Sequence, residues 1–280
     1  MGAIIWLASY PKSGNTWMRS FLHNLLMNAQ EPVPIDSLTA FCLGESALGP
    51  YAARAGKPGE ELTNEDVVRL RPLVHRDFTK ASPDSVFVKT HNYMGTWFDT
   101  PIHNMDVTAG GIYILRNPLD VVLSYHNHYN TTIDEAIQRM GQIGAGTPFG
   151  AHHVPEIHSS WSHHVESWTG HPNPQLLVLR YEDLLNEPQK FFKATANFLG
   201  LNPPQERLDR AIRFSSFKVL KAQEEAQGFK ERPKESKQSF FREGRQDQWR
   251  EQLTPDQIRQ IISDHRVQME RFNYIPADYA

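Results

Sequence analysis

Short, uninterrupted apolar runs alternate with amphipathic stretches along this chain. Residues 4–9 (IIWLAS), 86–89 (VFVK), 112–115 (IYIL) and 176–179 (LLVL) have strand length and are apolar at successive positions. That is the pattern of strands covered on both faces. Met18, Phe21, Leu22, Leu25 and Leu26 recur at helical spacing and predict a helix directly behind the first strand, with Pro32 and Pro34 limiting its extension. Asn117 is a natural N-cap and Pro118 suits a first helical position; Thr254 and Pro255 repeat that signature before a charged helix reaching Arg271. Residues 188–199 predict a further helix with Phe191, Thr195, Phe198 and Leu199 on one side, stopped by Gly200. Strands alternating with helices predict an α/β fold: a single domain over residues 1–280, with a central, mostly parallel sheet flanked by helices. No internal repeat or linker divides it.

Two stretches lack this order. Residues 36–76 mix helix-like charge with Gly44, Gly49, Gly56 and Gly59, and are expected to be surface segments laid over the core. The stretch KVLKAQEEAQGFKERPKESK (218–237) is charged and contains Gly228 and Pro233. It predicts a mobile surface segment, extending to about residue 240, that orders over a ligand as a lid.

With 39% hydrophobic and 22% charged residues, the chain can bury a sizeable core, which disfavours disorder. Lysine and arginine total 29 against 32 acidic residues, so the net charge of −3 gives no global reason to expect nucleic acid as a partner. Cys42 is the only cysteine. It permits no intrachain disulfide and fits a reducing compartment, most simply the cytoplasm. No stretch approaches the roughly 20 apolar residues of a membrane span. The run at residues 3–8 is too short and too early for a secretory leader.

The strongest local signal is Tyr10-Pro11-Lys12-Ser13-Gly14-Asn15-Thr16-Trp17, between the first strand and its helix. A helix start offers unpaired N–H groups and the positive dipole end; Lys12 adds a cation, Ser13, Asn15 and Thr16 add short donors, and Gly14 permits close approach. The lysine precedes the glycine, unlike a Walker A loop. Arg116, at the end of another strand, and Ser124, two turns into the next helix, form a second anion element. Together they suggest a ligand phosphorylated at two places, bound where α/β sheets hold ligands. Lys89-Thr90-His91 ends a third strand and offers a base near neutral pH. Taken singly, the latter two elements also read as a routine surface arginine and an ordinary strand end.

Four segments, YPKSGNTW at 10–17, KTH at 89–91, RNPLDVVLS at 116–124 and FREG at 241–244, resemble in order those of the cytosolic-type sulfotransferases. The likeness runs from Ile4 to about Trp249. It implies the P-loop-like sulfotransferase fold, 3′-phosphoadenosine 5′-phosphosulfate (PAPS) as donor and adenosine 3′,5′-bisphosphate (PAP) as product. By that resemblance the Lys12 loop, with Ser13, Gly14, Asn15 and Thr16, holds the 5′-phosphosulfate. Trp17, Tyr181 and Phe217 contact adenine. Arg116 and Ser124 grip the 3′-phosphate, closed over by Arg242 and the Gly244 backbone. His91 is implied as general base, with Lys12 and Lys89 following the migrating charge and no metal required. The acceptor implied is the hydroxyl of a small molecule; a glycan, glycolipid or peptide-bound acceptor is the alternative.

Departures from the family pattern are Asn15 for a usual threonine, Glu243 for a usual lysine beside the 3′-phosphate closure, and Asp247-Gln248-Trp249 for an Asp-Trp pair. Of the usual dimerisation motif only Arg250 and Thr254 are compatible, which leaves the oligomeric state open. His152, His153, His158, His163 and His164 cluster with Glu156 and Glu166; solvated or acceptor-pocket histidines fit that spacing better than metal ligands. Residues 131–161, with Met140 and Phe149, are expected to cover the acceptor. Trp6, Trp97, Trp161 and Trp168 fit acceptor contact or core packing equally. An ATP-dependent small-molecule kinase and a non-catalytic nucleotide-binding module are the competing readings; the order of Lys12 and Gly14 argues against the first, and the presence of Lys12 and His91 against the second.

Overall fold

The computed structural model describes residues 2–232 and 238–280. Five parallel strands form the central sheet: β1 (Ala3–Ser9), β2 (Leu43–Gly44), β3 (Ser85–Thr90), β4 (Thr108–Leu115) and β5 (Leu176–Arg180), in the order β2-β3-β1-β4-β5. The chain passes from β3 on one side of β1 to β4 on the other, so the connections diverge at β1. Ligands of open α/β sheets bind in the crevice that such a reversal opens at the strands' carboxyl ends. Ala8 of β1 lies beside Thr90 of β3 and Tyr113 of β4, and Leu115 lies beside Arg180. The turns after β1, β3, β4 and β5 therefore emerge along one edge.

Strand side chains alternate between two cores. Ile4, Trp6 and Ala8 of β1, with Val86, Val88, Tyr113 and Leu115, face one side; Leu7, Ile112, Ile114 and Leu179 face the other. The second side is covered by α1 (Asn15–Leu26) through Met18, Phe21, Leu22 and Leu25. The predicted strands, helix starts and terminal helix are all present. Asn117 caps α4 (Pro118–Tyr129) by accepting from Leu119 N–H at 3.1 Å, and Thr254 forms a capping box at α11 (Pro255–Arg271).

Residues 36–76 depart from the surface reading. They contribute β2, α2 (Leu48–Ala55) and α3 (Asn64–Phe78), whose Val67, Leu70, Val74 and Phe78 pack into the first core. Part of the charge in this region is buried: Arg71 Nε lies 2.8 Å from Glu45, with His75 and Tyr51 on the same carboxylate. Sequence periodicity cannot reveal this, because a buried ion pair looks like surface charge until its partner is known.

After α5 (Ile133–Gly141), α6 (Trp161–Thr169) and α7 (Tyr181–Asn186), the expected helix appears as α8 (Pro188–Phe198). Its buried face is centred on Phe192, Thr195 and Ala196; Phe191, Phe198 and Leu199 lie at the margin. Helices α9 (Gln205–Phe214) and α10 (Phe217–Gln227) follow. Described parts of the expected mobile segment are also packed. Leu220, Phe229 and Phe241 are buried with Ile35 in a third cluster, and Glu224 accepts the backbone N–H groups of Phe240 and Phe241 at 2.6 and 2.8 Å. Residues 233–237, part of that expectation, lie outside the described residues. Among the described residues no helix is long and apolar enough to cross a membrane.

Candidate active site

A cavity of about 1440 Å³ opens at the carboxyl edge of the sheet, walled by the turns that follow β1, β3, β4 and β5 and by residues 229–232 and 240–244. Its wall includes Lys12, Gly14, Asn15, Thr16 and Trp17, Lys89 and His91, Arg116 and Ser124, Tyr181, Phe217, Arg242 and Gly244. Segments separated by more than two hundred positions in the chain thus meet around one space. Ser13 is the exception among the expected residues: it is fully buried behind the loop, and its Oγ has no hydrogen-bond partner.

The first loop is shaped by two residues with positive φ, Lys12 at 69° and Gly14 at 107°. Only glycine fits the second position, since a Cβ there would lie 2.8 Å from the Tyr181 ring. Gly14 is the N-cap of α1 and no side chain caps the helix, so its first N–H groups are left for an anion. Asn15 does not face the cavity with its amide. Its Nδ2 donates to Leu7 O at 2.8 Å and pins the loop back onto β1.

Cations converge on this helix start. Lys12 Nζ lies 3.3 Å from His128 Nδ1 and 3.8 Å from the centroid of the Phe240 ring. Burial, then the neighbouring charges of Lys89, Arg116 and Arg242, lowers its pKa to about 7 against the opposing pull of Glu231. Arg116 crosses the loop: Nη1 donates to Lys12 O at 3.3 Å, Nη2 to Arg245 O at 3.4 Å, and its guanidinium stacks 4.4 Å from the Tyr181 ring. Its Nε is enclosed and unpartnered, as is Trp17 Nε1. Mutually repelling cations, an uncapped helix start and orphaned donors around one cavity fit a polyanion that carries an aromatic base.

Glu243, in place of the family's usual lysine, is paired in place: Arg245 Nε donates to it at 2.7 Å and holds Glu251 with its other nitrogens. Gly244 has φ 63°, and a Cβ there would sit 2.2 Å from the Phe217 ring. The altered Asp-Gln-Trp segment is anchored on Asp120 of α4, which accepts Asp247 N–H at 2.8 Å and Trp249 N–H at 3.2 Å. One helix therefore carries both Ser124 and the tether of the closing loop.

His91 is held by its Nδ1, 2.8 Å from Ser9 O. A carbonyl accepts only, so Nδ1 carries the proton and Nε2 keeps its lone pair. Burial first, then the Lys89 ammonium, lowers its pKa to about 3, so the ring is neutral. The strand end beneath it is braced by Asn92, whose amide bonds Glu45 and accepts Ile157 N–H at 2.6 Å.

The histidine-rich segment divides. His152 and His153 line the cavity with Thr147 and Glu156, whereas His158 and His164 are buried, the latter between Tyr113 OH at 2.9 Å and His91 O at 3.1 Å. Among the described residues no group of three His, Cys, Asp or Glu is placed to hold a metal ion. Met140, Trp6, Trp161 and Trp168 belong to the core, and Trp97 packs against it, so the core reading of the tryptophans prevails. Sequence reasoning missed Glu231 and Arg19. Arg19 follows Met18 and precedes Phe21 in a largely buried helix, a position that does hint at a buried partner.

The sulfotransferase domain family matches residues 4–273 of the chain. The chain belongs to that family. Sulfotransferase 1A1 of Rattus norvegicus is 28% identical over 228 residues, covering 77% of this chain and 66% of that enzyme. The flavonol 3-sulfotransferase of Flaveria bidentis is 23% identical over 275 residues, 92% of this chain and 78% of the relative. In fold, this sulfotransferase resembles retinol dehydratase solved with androsterone and PAP, with a TM-score of 0.65, 18% identity and 95% and 80% of the two chains covered. It likewise resembles a mouse sulfotransferase complexed with PAP, with a TM-score of 0.60, 21% identity and coverage of 95% and 84%. The α/β architecture expected from the motifs is that of these sulfotransferases.

Proposed function

We propose that the protein, acting as one domain, transfers a sulfuryl group from PAPS to the hydroxyl of a small-molecule acceptor. The observation that carries this reading is the convergence of Lys12, Lys89, Arg116 and Arg242 with the neutral His91 on one cavity. The donor, when bound, supplies an activated sulfuryl group and leaves PAP as the other product.

Lys12, Thr16 and the first N–H groups of α1 hold the 5′ side and stabilise the charge that gathers there. Arg116, Ser124, Arg242 and the Gly244 backbone hold the 3′-phosphate. Trp17, Tyr181 and Phe217 enclose the adenine. Ser13 supports the loop from behind, and Asn15 fixes its position against β1. His91 Nε2 accepts the acceptor's proton as its oxygen attacks, and Lys89 beside it offsets negative charge on the group in flight.

Flavonol 3-sulfotransferase and the androsterone complex of retinol dehydratase are relatives whose names point to small hydroxylated molecules. A relative named cytosolic sulfotransferase 5, from Arabidopsis thaliana and 26% identical, supports a cytoplasmic location, as does a chain whose single cysteine is free and buried. Calorimetric titration with PAP, with ATP and Mg²⁺ as control, tests the reading. Tight PAP binding with weak ATP binding supports it. A folded protein that ignores PAP overturns it, and preference for ATP with Mg²⁺ favours a kinase.

A further inference from the structure

The segment after α11 reaches the Arg116 side of the cavity from behind. The helix ends at Arg271, and Asn273, with φ 55°, turns the backbone so that Tyr274 N–H donates to Met269 O at 2.7 Å. The Tyr274 ring is buried against Trp161, with the Arg180 guanidinium 4.6 Å from its centroid. Its hydroxyl donates to Glu182 Oε2 at 2.7 Å. The other oxygen of that carboxylate, Oε1, accepts Asn117 N–H at 3.0 Å. Asn117 directly follows Arg116, and Tyr181, directly before Glu182, carries the ring on which the Arg116 guanidinium stacks. Tyr274 lies one residue beyond the stretch 4–273 that matches the family.

Glu182 is buried, and the charges of Arg116 and Arg180 are both felt at its carboxylate. A buried carboxylate takes up the donors within its reach, because an unfilled lone pair costs more there than in water. Here a backbone N–H engages one oxygen and the Tyr274 hydroxyl the other, and the hydroxyl in turn gains the partner that a buried tyrosine needs. Arg116 meanwhile gives Nη1 and Nη2 to carbonyls at 3.3 and 3.4 Å, and its Nε has no partner. A guanidinium in that condition is open to a phosphate; one forked onto a carboxylate of its own chain is not.

We propose that Glu182 and Tyr274 are positioning residues for the 3′-phosphate: Glu182 fixes the backbone beside Arg116, and Tyr274 keeps the Glu182 carboxylate from turning to that guanidinium. This rests on the sulfotransferase reading, in which Arg116 grips the 3′-phosphate. Neither residue is part of the cavity wall, so both act through Arg116.

The test is the ratio of the Kd for 5′-AMP to the Kd for PAP, two ligands that differ by the 3′-phosphate alone, measured by calorimetry. Tyr274→Phe keeps the ring and removes the donor. It is expected to lower the ratio by about threefold or more through weaker PAP binding, with AMP affinity unchanged. Glu182→Gln keeps an acceptor for Asn117 N–H and a partner for the tyrosine hydroxyl. It is expected to hold the ratio closer to wild type than Glu182→Leu, which keeps neither. In an Arg116→Met background, Tyr274→Phe is expected to leave the ratio where Arg116→Met alone puts it. Urea unfolding checks that each variant is folded. Equal weakening of both ligands overturns the proposal and assigns the pair to support of the fold, as does lost stability with an unmoved ratio. A further fall of the ratio in the Arg116→Met background overturns the route through Arg116. A wild-type protein that binds AMP as tightly as PAP would instead overturn the sulfotransferase reading, and this proposal with it.

Discussion

Arg19 and Glu231, 212 positions apart, form a two-point ion pair in which Nη1 and Nη2 each lie 2.7 Å from a carboxylate oxygen. Arg19 is 1% exposed, and it also donates to Thr16 Oγ1 at 3.0 Å, so the pair joins the first loop to the segment after α10. The same carboxylate stands 3.9 Å from Lys89 Nζ. An internal anion thus stands at the edge of the cation cluster.

Two opposite effects follow for Glu231→Gln. Arg19 loses its counterion in a buried site, and urea unfolding is expected to show a loss of about 2–3 kcal/mol. One negative charge leaves the cavity wall, and calorimetry is expected to show PAP binding several-fold tighter. Unchanged stability together with unchanged affinity would mean the pair carries neither role.

The strands, the phosphate-loop helix and its glycine, and the N-caps at Asn117 and Thr254 were legible because each is a local pattern. Period, cap and turn chemistry are complete within a dozen residues. Glu45 with Arg71 and Arg19 with Glu231 were not. Each is defined by a partner far along the chain, and an isolated charged residue reads as solvated. Phe229 and Phe241 were obscured for the same reason: the charges around them suggested exposure, while their burial depends on Ile35 and Leu220.

Lys12 makes donor binding depend on pH. With its pKa lowered to about 7, it is partly neutral in the unliganded protein at physiological pH. Phosphate charge placed against it raises that pKa, so binding takes up a proton above pH 7. PAP affinity is therefore expected to fall as pH rises past 7, by at most about tenfold per unit. Calorimetry at pH 8 in buffers of different ionisation enthalpy measures the uptake, and Lys12→Met should abolish it. The stability effect has the opposite trend. Unfolded Lys12 keeps its proton up to about 10.5 while the folded residue has lost it, so this residue makes the free protein more stable as pH rises through that window. Zero proton uptake in the wild type would place Lys12 away from the phosphates.

Gly244→Ala tests the closing loop. Its φ of 63° strains an L-residue by about 1 kcal/mol, and the new methyl group collides with Phe217 at the adenine wall. PAP affinity is expected to fall by about tenfold or more, with a much smaller change in unfolding free energy. Equal losses in both would assign Gly244 to folding alone.

His91 provides the sharpest test of the chemistry. His91→Ala is expected to lower kcat by about 10²–10⁴-fold, the usual scale for a lost general base, with PAP affinity largely kept. The Ser9 carbonyl fixes the proton on Nδ1, so nitrogen NMR of the free protein at pH 7 should show a neutral ring with Nε2 unprotonated. Burial and Lys89 hold the folded pKa near 3, against 6.5 for an ordinary histidine. The unfolded chain therefore binds this proton first on acidification, and His91 contributes a loss of stability as pH falls from about 6.5 toward 3. The kcat/KM profile should in turn lack an acidic limb near pH 6.5 from this group. Near-normal turnover in a folded His91→Ala protein, or an imidazolium signal at pH 7, would remove His91 as the base.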